Sequence, residues 1–115
     1  MGITNLQQGG GTDWSKMTPQ FILGTTSVQS STSPGTIVNV TGKGILTGLI
    51  LRGQGSTSVN SVRFTIDGVV GSWIESYASA IATIPATHRF NTSLKVEAYN
   101  ASNGMAIVGV SYNLD

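Results

Sequence analysis

The 115-residue chain contains no cysteine. Disulfides and thiolate metal sites are therefore excluded, and cysteine usage says nothing about redox compartment. Charge is nearly as scarce: 10% of residues are charged, where roughly 25% is usual in soluble domains. Six basic residues stand against five acidic ones, a formal net charge of +1. Duplex nucleic acid is held mainly by many Lys and Arg contacts to phosphate, and six scattered cations form no such stripe. A polybasic membrane anchor is missing too, and no apolar run approaches the ~20 residues of a membrane span. The start, Met1-Gly2-Ile3-Thr4-Asn5-Leu6, lacks the basic and apolar regions of a signal peptide. Leu6 also stands where a myristoylation pattern needs Ser or Thr. The expectation is a chain made in the cytoplasm without export, with neither nucleic acid nor membrane as partner.

The reactive inventory is equally thin. One histidine and five dispersed carboxylates offer no ligand cluster for a metal. Gly42-Lys43-Gly44-Ile45-Leu46-Thr47-Gly48 is one residue too long for G-x-G-x-x-G, and no Ser or Thr follows a Gly-Lys pair as a phosphate loop requires. No G-x-S-x-G elbow occurs, so a nucleophile would have to rely on His88 as its base. A glycosidase-like pair would need two of Asp13, Glu75 and Glu97 to converge at about 5–9 Å. No catalytic residue, cofactor or metal is expected, and the chain reads as a non-enzyme.

What the sequence has in abundance is neutral polarity: fourteen serines, fourteen threonines, seven asparagines and five glutamines. Such a surface gives little electrostatic protection against association, which fits a subunit that buries much of its exterior in an assembly. Residues 1–20 read as a flexible N-terminal arm. Gln7-Gln8-Gly9-Gly10-Gly11 has no periodicity and maximal backbone freedom, and Trp14 and Met17 are its large apolar groups. Tryptophan is enriched at binding hot spots, so the arm either docks on a neighbour through Trp14 or stays disordered.

Residues 21–115 read as one domain of short β-type runs separated by turn residues. Val62, Phe64 and Ile66 alternate with Arg63, Thr65 and Asp67, and Asp67-Gly68 supplies a type I′ hairpin turn. Residues 72–84 are ambiguous, ending at Pro85. Leu94, Val96 and Ala98 alternate with Lys95, Glu97 and Tyr99. The fold expected is all-β: an antiparallel β-sandwich, jelly-roll-like, of about eight strands.

Two runs are apolar on both sides. Ile45, Leu49 and Leu51 fall on one side of their strand and Leu46 and Ile50 on the other. Met105 and Ile107 oppose Ala106, Val108 and Val110. Double-sided apolarity needs a second cover, supplied by a subunit interface or by a loop or the arm of the same chain. Trp14, Met17, Ile45, Leu49 and Leu51 are the candidate assembly contacts. Trp73, Glu75 and Tyr77 share strand parity and form a candidate ligand face, because an aromatic ring beside a carboxylate suits a sugar. The competing assignment puts Trp73 in the core. A carbohydrate- or receptor-binding module is thus the alternative function.

Three segments carry a resemblance: Gly42-Lys43-Gly44-Ile45-Leu46-Thr47-Gly48-Leu49-Ile50, Val62-Arg63-Phe64-Thr65-Ile66-Asp67-Gly68, and Arg89-Phe90-Asn91-Thr92-Ser93-Leu94-Lys95-Val96. With the terminal Ser111-Tyr112-Asn113-Leu114-Asp115, this succession resembles small β-rich structural proteins of tailed bacteriophage virions. The resemblance covers residues 36–115. It implies a non-enzymatic, homotrimeric module located in the virion, as capsid decoration, head fibre or tail component. Its partners would be itself and other virion proteins, such as major capsid or tail proteins.

Overall fold

The structure is a computed structural model that describes residues 17–54, 59–77, 81–101 and 104–115. Nine strands are described: β1 (Thr18–Thr26), β2 (Gly35–Thr41), β3 (Gly44–Gln54), β4 (Val59–Ile66), β5 (Val69–Val70), β6 (Ile74–Tyr77), β7 (Ala82–Phe90), β8 (Ser93–Asn100) and β9 (Met105–Leu114). All pairings are antiparallel. One sheet runs β1-β9-β3-β7; the other runs β2-β8-β4, with β5 and β6 both pairing along the far edge of β4. If β5 and β6 count as one interrupted strand, eight positions divide between two four-stranded sheets. That is the double Greek-key order of a jelly roll. β1 begins at Thr18, so the described strand reaches into the segment read as an arm.

The core lies between the sheets, where alternation turns one side of each strand inward. Val62, Leu94, Val96 and Ala98 from one sheet meet Leu46, Leu49, Leu51, Phe90, Val108 and Val110 from the other, all at most 1% exposed. Phe64 and Ile66 pack against this cluster. At one end the inward positions turn polar. Asn100 Nδ2 donates to Asn60 Oδ1 at 2.6 Å, and Asn60 Nδ2 donates to the Ser76 carbonyl at 3.4 Å. All three residues are buried, and the mutual bonding offsets the cost of desolvating the amides.

Two expectations are corrected. Pro85 does not end its element: β7 runs through it from Ala82 to Phe90. This strand is the sheet edge, where a residue lacking an N–H is tolerated. His88 accordingly lies within a strand, its ring 5.3 Å from that of Phe64. The second correction concerns β3. Its register shifts between Leu46 and Gly48. Against β9, Thr47 is the extra residue of a bulge, whereas against β7 the extra residue lies on β7, where two residues stand opposite Thr47. The Thr47 hydroxyl donates to the Ser111 carbonyl at 2.9 Å and bonds the Ser111 hydroxyl at 2.8 Å. One extra residue reverses the parity beyond it. Leu46, Leu49 and Leu51 therefore all point inward, and Ile50 is left exposed on the outer side.

Candidate assembly and binding surfaces

The two outer faces of the sandwich differ in chemistry. On the β2-β8-β4-β6 sheet the outward positions carry charge and aromatic rings. Arg63 Nε donates to Glu97 Oε1 at 3.1 Å, and Lys95 Nζ lies 3.5 Å from Glu97 Oε2. The Glu97 side chain is only 9% exposed, so two cations share one nearly covered carboxylate. The Arg63 guanidinium carbon sits 4.4 Å from the centroid of the Trp73 ring, a cation–π distance. Trp73 also meets Tyr99 edge-on, with centroids 4.7 Å apart and planes at 88°.

Trp73 is therefore outside the inter-sheet core, half-buried on the outer face. Glu75 and Tyr77 follow on the same side of β6, both exposed. The three expected ligand-face residues do share one surface. Sequence reasoning missed its companions Arg63, Tyr99 and Glu97, because strands 34 residues apart meet only through the fold. Ser61, fully buried beside them in the register with Glu75 and Tyr99, has a hydroxyl without a hydrogen-bond partner.

The β1-β9-β3-β7 sheet presents the opposite character. Phe21 (62% exposed), Leu23 (67%) and Ile50 (42%) stand on its outer face, with Thr25, Thr83 and Ser111 among them. A shallow groove of about 300 Å³ runs between Phe21 and Ile50, floored by Gly48 and Gly109. A Cβ on Gly109 would lie 3.3 Å from Phe21 Cζ and 3.7 Å from Ile50 Cβ, so a side chain there would press on the exposed Phe21 ring. Among the described residues, charge on this face is confined to its two ends, at Arg52 and at Arg89, the latter 3.9 Å from Asp115.

The contacts expected of Ile45, Leu49 and Leu51 are redistributed by the bulge. Leu49 and Leu51 lie in the core, and Ile45 is 4% exposed, buried outside the inter-sheet cluster. None offers its side chain to a second molecule; Ile50 and Phe21 hold the outward places instead. Met17 is also buried, at 8% exposure. Trp14 lies outside the described residues. Among the described residues no three His, Asp or Glu side chains gather as a metal site would need.

One end of the sandwich unites the segments that carried the resemblance. Asp67, with φ 51° before Gly68 at 84°, makes the tight turn between β4 and β5 and turns its carboxylate onto the next connection. Oδ1 and Oδ2 accept from Asn91 N at 2.9 and 3.0 Å, and Oδ1 accepts from Thr92 N at 2.7 Å, Ser93 N at 3.1 Å and the Thr92 hydroxyl at 3.0 Å. These donors, the Thr92, Asn91 and Ser93 amides foremost, hold the carboxyl down from 3.8 to about 2. Gly42 N donates to the Thr92 carbonyl at 2.8 Å, and Asp115 N donates to the Lys43 carbonyl at 3.0 Å.

Strand order and outer faces together define the class as a jelly-roll β-sandwich with one polar face and one apolar face whose charge is confined to its ends. No family model matches the chain, and no curated protein matches it. Among solved structures, its fold is similar to a chain in the structure of infectious bursal disease virus Gt strain, at 11% identity and a TM-score of 0.45, covering 86% of this chain and 33% of that one. A chain in the structure of the Gx strain of the same virus aligns at 13% identity and a TM-score of 0.43, covering 86% and 32%. The chain thus spans about a third of the length of the solved chains it matches.

Proposed function

We propose that this protein is a non-enzymatic structural subunit of a virion, of the tailed-phage kind its motifs resemble: a capsid decoration, head-fibre or tail component. It associates with a second copy through the outer face of the β1-β9-β3-β7 sheet, and its first residues, with Trp14, fasten it to another virion protein. The observation that carries this reading is the asymmetry of the two faces. A sheet face that meets water normally carries charge along its length, and the opposite face of this sandwich does. The apolar face does not.

Its size is adequate. Four strands of nine to eleven residues, at about 3.3 Å per residue and 4.8 Å between strands, make a face of roughly 620 Å². Two such faces bury roughly 1,200 Å² between them, near the lower limit of specific interfaces. Light scattering of the full chain from micromolar to millimolar concentration should therefore show association. Ile50→Asp should weaken it by at least about tenfold, the equivalent of one aspartate buried at the cost of 1.4 kcal/mol. A chain that stays monomeric throughout would sink the assembly reading.

A second reading rests on the Trp73 surface, where exposed Glu75 and Tyr77 flank an aromatic ring already braced by Arg63. A glycan or host receptor would stack there. Retention on a glycan array that Trp73→Ala abolishes, with the melting temperature nearly unchanged, would establish it; no retention by the parent chain would eliminate it.

A further inference from the structure

We propose that the free edge of β1 is a second self-association site, where β1 of one copy pairs antiparallel with β1 of another about a two-fold axis. The face contact proposed above is a separate one. A sheet edge exposes unpaired backbone N–H and C=O groups to any passing strand, and folded proteins guard such edges with bulges, prolines, charges or short strands.

Three of the four edges of this sandwich are guarded. β2 carries a register shift between Thr36 and Val38. β7 carries Pro85, His88 and Arg89, and its register with β3 shifts between His88 and Pro85. The far edge of β4 is covered by strands of only two and four residues, one bearing Glu75. β1 is different. Its nine residues run in unbroken register with β9, and among the described residues it has no other strand partner. Its one proline, Pro19, stands second, and no charged residue occurs from Met17 through Gly42.

Because the other edges are guarded, the strand that fits β1 is β1 itself. A pairing centred on Leu23 would set Leu23 against Leu23 of the second copy and Phe21 against its Thr25. That places the exposed Phe21 and Leu23 side chains of both copies in one cross-strand row, the kind of pair that stabilises a sheet. On the inner side Ile22 would stand opposite Gly24, large against small. The product is a continuous eight-stranded sheet, and a self-matching edge closes on two copies.

The test is backbone hydrogen exchange on the full chain across a concentration series, with mass measured by light scattering. The result expected is an even-numbered species in which the alternate amides of residues 21–25 that point away from β9 become protected as concentration rises. Leu23→Lys, a change at an exposed side chain, should lower the association constant at least tenfold and restore fast exchange. Val69→Lys, equally exposed on β5, should change neither. Association without protection in β1 overturns edge pairing while leaving face contact standing; no association overturns both. Protection that is independent of concentration means the same chain covers the edge, and a trimer with no even-numbered species excludes the two-fold; either overturns the proposal.

Discussion

Phe90→Ala is expected to destabilise the fold by about 3–5 kcal/mol, the range for emptying a buried phenylalanine site. Phe90 is completely buried at the end of β7, paired in register with Gly44. A Cβ on Gly44 would lie 2.5 Å from Phe90 Cζ and would collide with the Asn113 carbonyl oxygen. The ring therefore occupies the space a side chain at position 44 would fill. Once the ring is removed, Gly44 has nothing to offer the cavity, and the strand backbones on either side are fixed by their ladders. Such a site relaxes little, which places the loss toward the upper end of the range. Domains of this size have about 5–15 kcal/mol in total, so the loss is a large fraction of the whole and should lower the melting temperature by many degrees. Urea melts at a concentration below that of association measure the effect without linkage to assembly. Val69→Ala, at a 73% exposed position, should stay within about 0.5 kcal/mol. A loss of under about 1 kcal/mol for Phe90→Ala would mean that the packing of this end is not what holds the sheets together.

The parts of the fold legible in the sequence are those governed by local periodicity. Val62, Phe64 and Ile66 alternate with polar residues and do face the core, and Asp67-Gly68 does make a two-residue turn with both φ angles positive. Leu94, Val96 and Ala98 likewise turn inward. What the sequence hides is anything set by a partner strand. The bulge at Thr47 is tied to β9 by its hydroxyl's bonds to Ser111, 64 residues away, and that single insertion turns Leu49 and Leu51 from a supposed contact face into the core. Pro85 reads as a terminator until the sheet order places its strand on an edge. Asn60 and Asn100 look like surface residues, and only the fold shows that each satisfies the other.

The candidate surfaces follow the same division. Parity alone places Trp73, Glu75 and Tyr77 on one side of a strand, but not whether that side is core or surface. The packing of Arg63 and Tyr99 on Trp73 decides it. The apolar face was legible only as a surplus of hydrophobic residues on a strand. Which of them point outward depends on register, a non-local property. The segments behind the resemblance prove to be neighbours: the turns at Gly42-Lys43, Asp67-Gly68 and Asn91-Thr92 and the terminal Asp115 bond to one another at one end. Their residues serve the connections between sheets. A shared pattern of this kind therefore speaks to how a chain folds before it speaks to what the chain binds.

Asp67→Asn should lower the melting temperature near neutral pH, and the difference from the parent chain should fade in acid. Asparagine tolerates the positive φ of this turn, so the substitution keeps the hairpin and changes mainly the charge. The carboxylate accepts three backbone N–H groups and one hydroxyl from the connection that crosses between β7 and β8. A neutral amide offers one acceptor oxygen and sets an NH₂ group against the remaining donors. In the folded chain the carboxyl titrates at about 2, below its ordinary 3.8, so the unfolded state takes up the proton first as pH falls. The contribution is therefore complete well above pH 3.8, declines as pH falls through the interval from 3.8 toward 2, and is gone well below it. Thermal melts at pH 7, 4 and 2 should show a full difference at the first, nearly all of it at the second and much less at the third. Asp67→Ala should fall further at every pH, because alanine also strains the left-handed turn. If Asp67→Asn melted with the parent at pH 7, or lagged by the same amount at pH 2, the charge on this clasp would not be what ties the two connections together.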